Sequence, residues 1–128
     1  MTRYEPAIDL DSITAIDMHV HIEGDAHGRN SLPDDLAEAA SAYFKNGGIR
    51  PELDAVADYY RERNMAAVVF TVDATTNLGH EPISSAAIAE GAAHHNDVLI
   101  PFASVDPLRG AAAVDQARRL IEENGVRG

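Results

Sequence analysis

Asp17, His19 and His21 alternate with Ile16, Met18, Val20 and Ile22 in the run Ala15 to Ile22. Polar and apolar residues at every second position are the pattern of a half-buried strand. Side chains on a strand point to opposite faces in turn, so the spacing predicts one apolar face and one face bearing a carboxylate and two imidazoles. Neutral imidazoles two positions apart on a rigid strand converge above the backbone, where their nitrogens can grip a borderline-soft cation such as zinc. His19 and His21 are therefore the candidate metal ligands. On spacing alone a solvated edge strand is an equal reading, because zinc sites ordinarily use three or four protein groups. Asp17 tips the balance toward metal. An inward carboxylate is costly unless it has a hydrogen-bond partner, a cation or a histidine ring to orient.

Composition restricts the partners. Twenty-one acidic residues against 10 basic ones give a net charge of -11, which repels phosphate backbones and anionic membranes and argues against nucleic acid. There is no cysteine, so any metal must be held by His, Asp or Glu. Met1 to Pro6 lack an apolar signal core, and no segment approaches the roughly 20 apolar residues of a membrane span. The expectation is a cytoplasmic protein of one domain that acts on a small-molecule substrate, with a homo-oligomer left open.

The elements that must position the histidines follow in order. Residues 4–14 read as a polar lead-in with Ile8, Leu10 and Ile13. After the first strand a glycine-punctuated loop, Glu23 to Asn30, carries His27 and Arg29, candidate substrate contacts beyond the metal-bearing strand. Ser31 reads as an N-cap before Pro33 and the acidic turn of Asp34 and Asp35. A helix follows with Leu36, Ala40, Tyr43 and Phe44 on one face, ending at Gly47-Gly48. A second helix from Pro51 places Leu53, Val56, Ala57 and Tyr60 on one stripe. Tyr43, Tyr59 and Tyr60 read as packing residues. Residues 24–64 thus form a two-helix insertion between the first and second strands, with Gly24 to Gly48 expected to lie over the site.

Met65 to Val72 is a nearly continuous apolar run, as in a parallel strand covered on both sides. Asp73 ends it, and a polar loop to His80 follows; Asp73 and His80 complete the candidate substrate contacts. A helix from Pro82 uses Ile83, Ala87, Ile88 and Gly91 for packing, and His94-His95 at its end read as a match to the helix dipole. Val98 to Val105 is a third strand, with Pro101 requiring a bulge or an early position. Asp106 and Pro107 turn the chain into a helix over 110–124 that packs through Val114, Ala117, Leu120 and Ile121. Strand and helix in alternation predict an α/β protein with parallel strands.

D-M-H-V-H on a first strand, then V-V-F-T-V-D, I-P-F-A-S-V-D-P and the terminal G-V-R-G, resemble the amidohydrolase-related superfamily, nearest the branch of the aminocarboxymuconate-semialdehyde decarboxylases. The resemblance covers residues 16–128. It implies a (β/α)8 barrel, usually of about 250 residues, of which this sequence would supply the first three to four βα units as an N-terminal part. It implies that His19 and His21 bind a divalent metal, most often zinc, with Asp17 deeper on the same face. The further ligand histidine and the aspartate that deprotonates water come, in the family, from later strands. The implied activity is metal-dependent hydrolysis of a carboxylate, ester, lactone or amide substrate; a metal-dependent decarboxylase and a non-catalytic half-barrel are the alternatives. With two ligands in hand, this polypeptide alone is expected to bind zinc weakly and to be inactive.

Overall fold

The computed structural model describes residues 2–45 and 52–128. Strands β1 (Ala15–His21), β2 (Met65–Phe70) and β3 (Leu99–Pro101) form one open parallel sheet in the order β1-β2-β3. Helices α1 (Asp34–Phe44) and α2 (Leu53–Arg61) precede β2, and α3 (Thr75–Leu78) and α4 (Ser85–His94) precede β3. A 3-10 turn (Pro107–Arg109), α5 (Ala111–Arg119) and a π-helical turn (Leu120–Asn124) follow. Parallel strands alternating with helices make this an α/β fold, and the open sheet corresponds to part of a (β/α)8 repeat.

The central strand is the most deeply packed. Ala66, Ala67, Val68 and Val69 are at most 1% exposed. Val56 and Ala57 of α2 and Ile88 and Ala92 of α4 join Ala67, Val69 and Leu99 in one core, so both helices cover the same face. Each large apolar side chain buried there contributes about 1.5–3 kcal/mol. Ser84 starts α4 by accepting the Ala87 amide on its hydroxyl, and Asn64, in the left-handed region at φ 52°, turns the chain into β2.

Proline is tolerated in β3 because of its position. Phe102 donates its amide to Val69 of β2, whereas the Pro101 carbonyl accepts from Arg127 on the other side. A strand residue turns its N and O to the same side, so the missing Pro101 donor lies on the edge away from β2. The strand is shorter than its apolar run because Ser104 already turns to the Ser85 hydroxyl.

Several expectations are corrected. Ser31 does not cap α1; its hydroxyl donates to the Ile22 carbonyl, and Pro33 precedes the helix without a side-chain cap. The expected apolar face of α1 is uncovered, with Tyr43 and Phe44 exposed, and Tyr59 also faces solvent, with Arg63 stacked on its ring. Gly47, Gly48 and Pro51, expected to punctuate these helices, lie outside the described residues; α1 closes at Lys45 in the left-handed region. The loop after Asp73 contains α3, because the Asp73 carboxylate caps Thr75 and Gly79 ends the turn at φ 62°. The π turn shifts the phase of the last helix. Leu120 and Asn124 are buried there while Val114 and Ile121 are exposed. The lead-in matters through Tyr4 rather than Leu10. Tyr4 is fully buried, its hydroxyl donates to the Leu99 carbonyl, and burial raises its pKa to about 12.

Candidate metal centre

His19 and His21 stand at the C-terminal end of β1. Their Nε2 atoms are 3.0 Å apart and their rings stack at 4.9 Å and 26°. Phe70, the register partner of His21 on β2, meets both rings edge-on at 5.1 and 5.0 Å. Phe70 thus packs against both rings where their Nε2 atoms approach each other. Two imidazole nitrogens this close can both serve as ligands to one cation. Among the described residues no group of three or more His, Asp or Glu stands together to hold an ion.

Asp17 does not share the imidazole face. β1 pairs Asp17 with Ala67 and Val20 with Val69, a bulge that spends three steps of β1 on two of β2. Both partners belong to the helix-covered core, so Asp17 turns toward α2, and only from the bulge onward do His19 and His21 alternate with Val20 and Ile22. The Tyr60 hydroxyl donates to Asp17 Oδ2 at 2.6 Å and the His19 amide to Oδ1 at 3.1 Å. These bonds, Tyr60 first, hold the Asp17 carboxyl below the usual carboxylate range, and burial followed by the bond to Asp17 raises the Tyr60 hydroxyl. The carboxylate thus holds the backbone of His19, a candidate ligand, rather than its ring.

Glu23 takes the place behind a ring. Its Oε1 lies 3.5 Å from His21 Nδ1, on the side of the imidazole away from Nε2. Sequence reasoning passed over it, although it continues the His19, His21 alternation by one more step.

The loops distribute the candidate substrate contacts. Asp25 organises a hairpin in which it accepts from the amides of His27 and Arg29 and from the Arg29 guanidinium, while Gly28 turns at φ 76°. Burial works against the Asp25 charge, but these bonds prevail and lower its pKa. Arg29 and His80 line one cleft of about 470 Å³ with Asn30 and Pro33, and the His80 ring bonds the Asn30 carbonyl at 2.9 Å. His27 lines a different cleft of about 310 Å³ against α2 and α4, which Arg29 also borders. Asp73 belongs to a third, of about 170 Å³, with Arg109 3.9 Å away. Asp73 and Asp106 follow β2 and β3 on the same rim as the histidines, since the strands are parallel. Asp106 is buried and occupied: Thr76 and then Leu108 donate to it, holding its carboxyl low and tying the two loops together.

A family model described as amidohydrolase matches residues 16–128, which include the strand, the histidine pair and both later strands. The chain belongs to the amidohydrolase family. No curated protein and no solved structure matched it. Divalent metals are general in amidohydrolases, and the paired Nε2 atoms are where this amidohydrolase presents suitable donors. His94 and His95 stay apart from that chemistry; His95 bonds Asp54 at 2.9 Å beside Arg61, at the far end of the sheet.

Proposed function

We propose that this amidohydrolase holds a divalent cation, zinc foremost, through His19 and His21 and serves hydrolysis of a small ester, lactone, amide or related carboxyl substrate. The observation that carries the proposal is the 3.0 Å Nε2 pair at the C-terminal end of β1 in a chain of this family. When bound, such a cation supplies a Lewis acid and lowers the pKa of a bound water toward about 7. His19 and His21 grip it from one side, and Phe70 packs against both rings. Arg29 and His80, lining one cleft, bind and orient the substrate. Zinc takes three or four protein groups, so the remaining ligands and the proton acceptor come from outside these three strands.

Two preparations test this. Protein isolated from its own cells should hydrolyse such substrates in a metal-dependent way, and lose that activity on His19→Ala or His21→Ala. The 128-residue chain should bind zinc weakly, release it to a chelator and turn nothing over. Zinc binding that is identical in wild type and both variants would remove the histidine pair from the proposal. Stoichiometric, chelator-resistant zinc with turnover in the short chain would show that it completes its own site.

A further inference from the structure

We infer that Asp106 is a positioning residue for His80: its two carboxylate oxygens bond the loops after β2 and β3 at once, and so fix the one-turn helix that delivers His80 to the cleft it shares with Arg29. What that placement serves rests on the substrate role proposed for the cleft.

α3 spans four residues, none of them buried. A single turn has too few internal bonds to hold its own place, since isolated helices shorter than about 12 residues are marginal in water. It is held from outside at both ends. At its start the Thr76 amide donates to Asp106 Oδ2 at 2.7 Å, from 30 positions away in sequence. Past its end, after Gly79, the His80 ring bonds the Asn30 carbonyl at 2.9 Å. The first tie is the sheltered one. Asp106 is 2% exposed, so water competes poorly for its oxygens, and a bond to a charged acceptor is about twice as strong as a neutral one. The root of the loop is fixed separately, by the Asp73 amide donating to the Ser104 hydroxyl at 2.8 Å.

The side chain at 106 has to accept twice. Its Oδ1 takes the Leu108 amide at 3.0 Å, capping its own turn, while Oδ2 takes the Thr76 amide. A carboxylate offers two acceptor oxygens, whereas a carboxamide offers one and its nitrogen only donates. Asparagine at this position therefore keeps one bond and loses the other. A bond two residues on is the local turn that Asn side chains form, so Leu108 stays bonded and the loss falls on Thr76 and α3.

Amide hydrogen exchange and NMR of the full 128-residue chain test this with Asp106→Asn. The Leu78 and Gly79 amides bond the Ala74 and Thr75 carbonyls and report the opening of α3; the Ile88 amide bonds the Ser84 carbonyl and reports α4. Asp106→Asn should speed exchange at Leu78 and Gly79 about 10–100-fold, leave Ile88 as in wild type, and abolish the nuclear Overhauser contact between the His80 ring and Asn30. Should Asp106→Asn fail to fold, Asp106→Ser, whose shorter hydroxyl caps its own turn without reaching Thr76, should give the same pattern. Unchanged exchange at Leu78 and Gly79, an equal acceleration at Ile88, or a His80–Asn30 contact that survives in the variant overturns the inference. None of these readings uses a substrate. If the pattern holds while hydrolysis by protein from its own cells is indifferent to His80→Ala, the substrate role of the cleft fails and the positioning role stands.

Discussion

β1 and β2 lie side by side in register, yet they are built for different ends. β2 is central, four of its six residues are almost completely buried, and its core-facing side chains are locked by α2 and α4. β1 is an edge strand with a bulge, and its Ile16 and Met18 remain 37% and 59% exposed. Burial serves packing in β2, and the open face of β1 presents the two histidines for which we propose a metal-binding role. The bulge belongs to the second role. By absorbing one residue between Asp17 and Val20 it lets β1 send Asp17 to the helices and both histidines to the opposite face.

The largest effect should come from the covered side. Leu99 is fully buried, packs in the main core and carries the carbonyl that anchors the Tyr4 hydroxyl. Leu99→Ala leaves a cavity where α4, β2 and the lead-in meet, and should cost about 2–5 kcal/mol in urea denaturation. A cost below about 1 kcal/mol would mean that the core relaxes around the gap and that β1 and β2 differ less than their burial suggests.

That contrast was only half legible in the sequence. The apolar run 65–72 and the alternation of 15–22 showed both strands, because covered and half-covered strands have different periods. A single inserted residue leaves no mark on such a pattern. Asp17 therefore read as a companion of the imidazoles until the register with Ala67 placed it on the other face. Tyr60 was legible as a core residue, but not its bond to a strand 43 positions away. The uncovered face of α1 was illegible for a related reason: helical spacing shows that an apolar face exists, not that something meets it. Glu23 was the avoidable omission, since it lies on the same two-residue period as His19 and His21.

An intermediate effect is expected at the joint between the two strands' environments. Tyr60→Phe removes the donor to Asp17 Oδ2 and should cost about 1.5–3 kcal/mol at neutral pH, as for a hydrogen bond to a charged group. Its pH dependence is fixed in sign. The folded-state pKa of Asp17 lies below its ordinary 3.8, so the stability it contributes is present above that value and is lost as pH falls through the lower folded pKa. The difference between wild type and Tyr60→Phe should be flat from pH 7 to about 5 and shrink only in acid, below 3.8. A difference that instead grew on acidification would mean that Tyr60 bonds the protonated carboxyl rather than the carboxylate.

The smallest effect should be at Met18, between Asp17 and His19 in the bulge. Its side chain is 59% exposed and belongs to neither buried cluster. Met18→Thr keeps a residue suited to a strand while removing the long apolar arm, and changes at such sites usually fall within about 0.5 kcal/mol. Urea denaturation at two protein concentrations gives the comparison its sharpest form. A small cost at both concentrations would show that β1 contributes little packing through this position. A cost above about 1.5 kcal/mol that grew with protein concentration would mean that Met18 is buried against a second copy. The edge strand would then belong to an interface, and the open face beside the histidines would be narrower than the single chain presents.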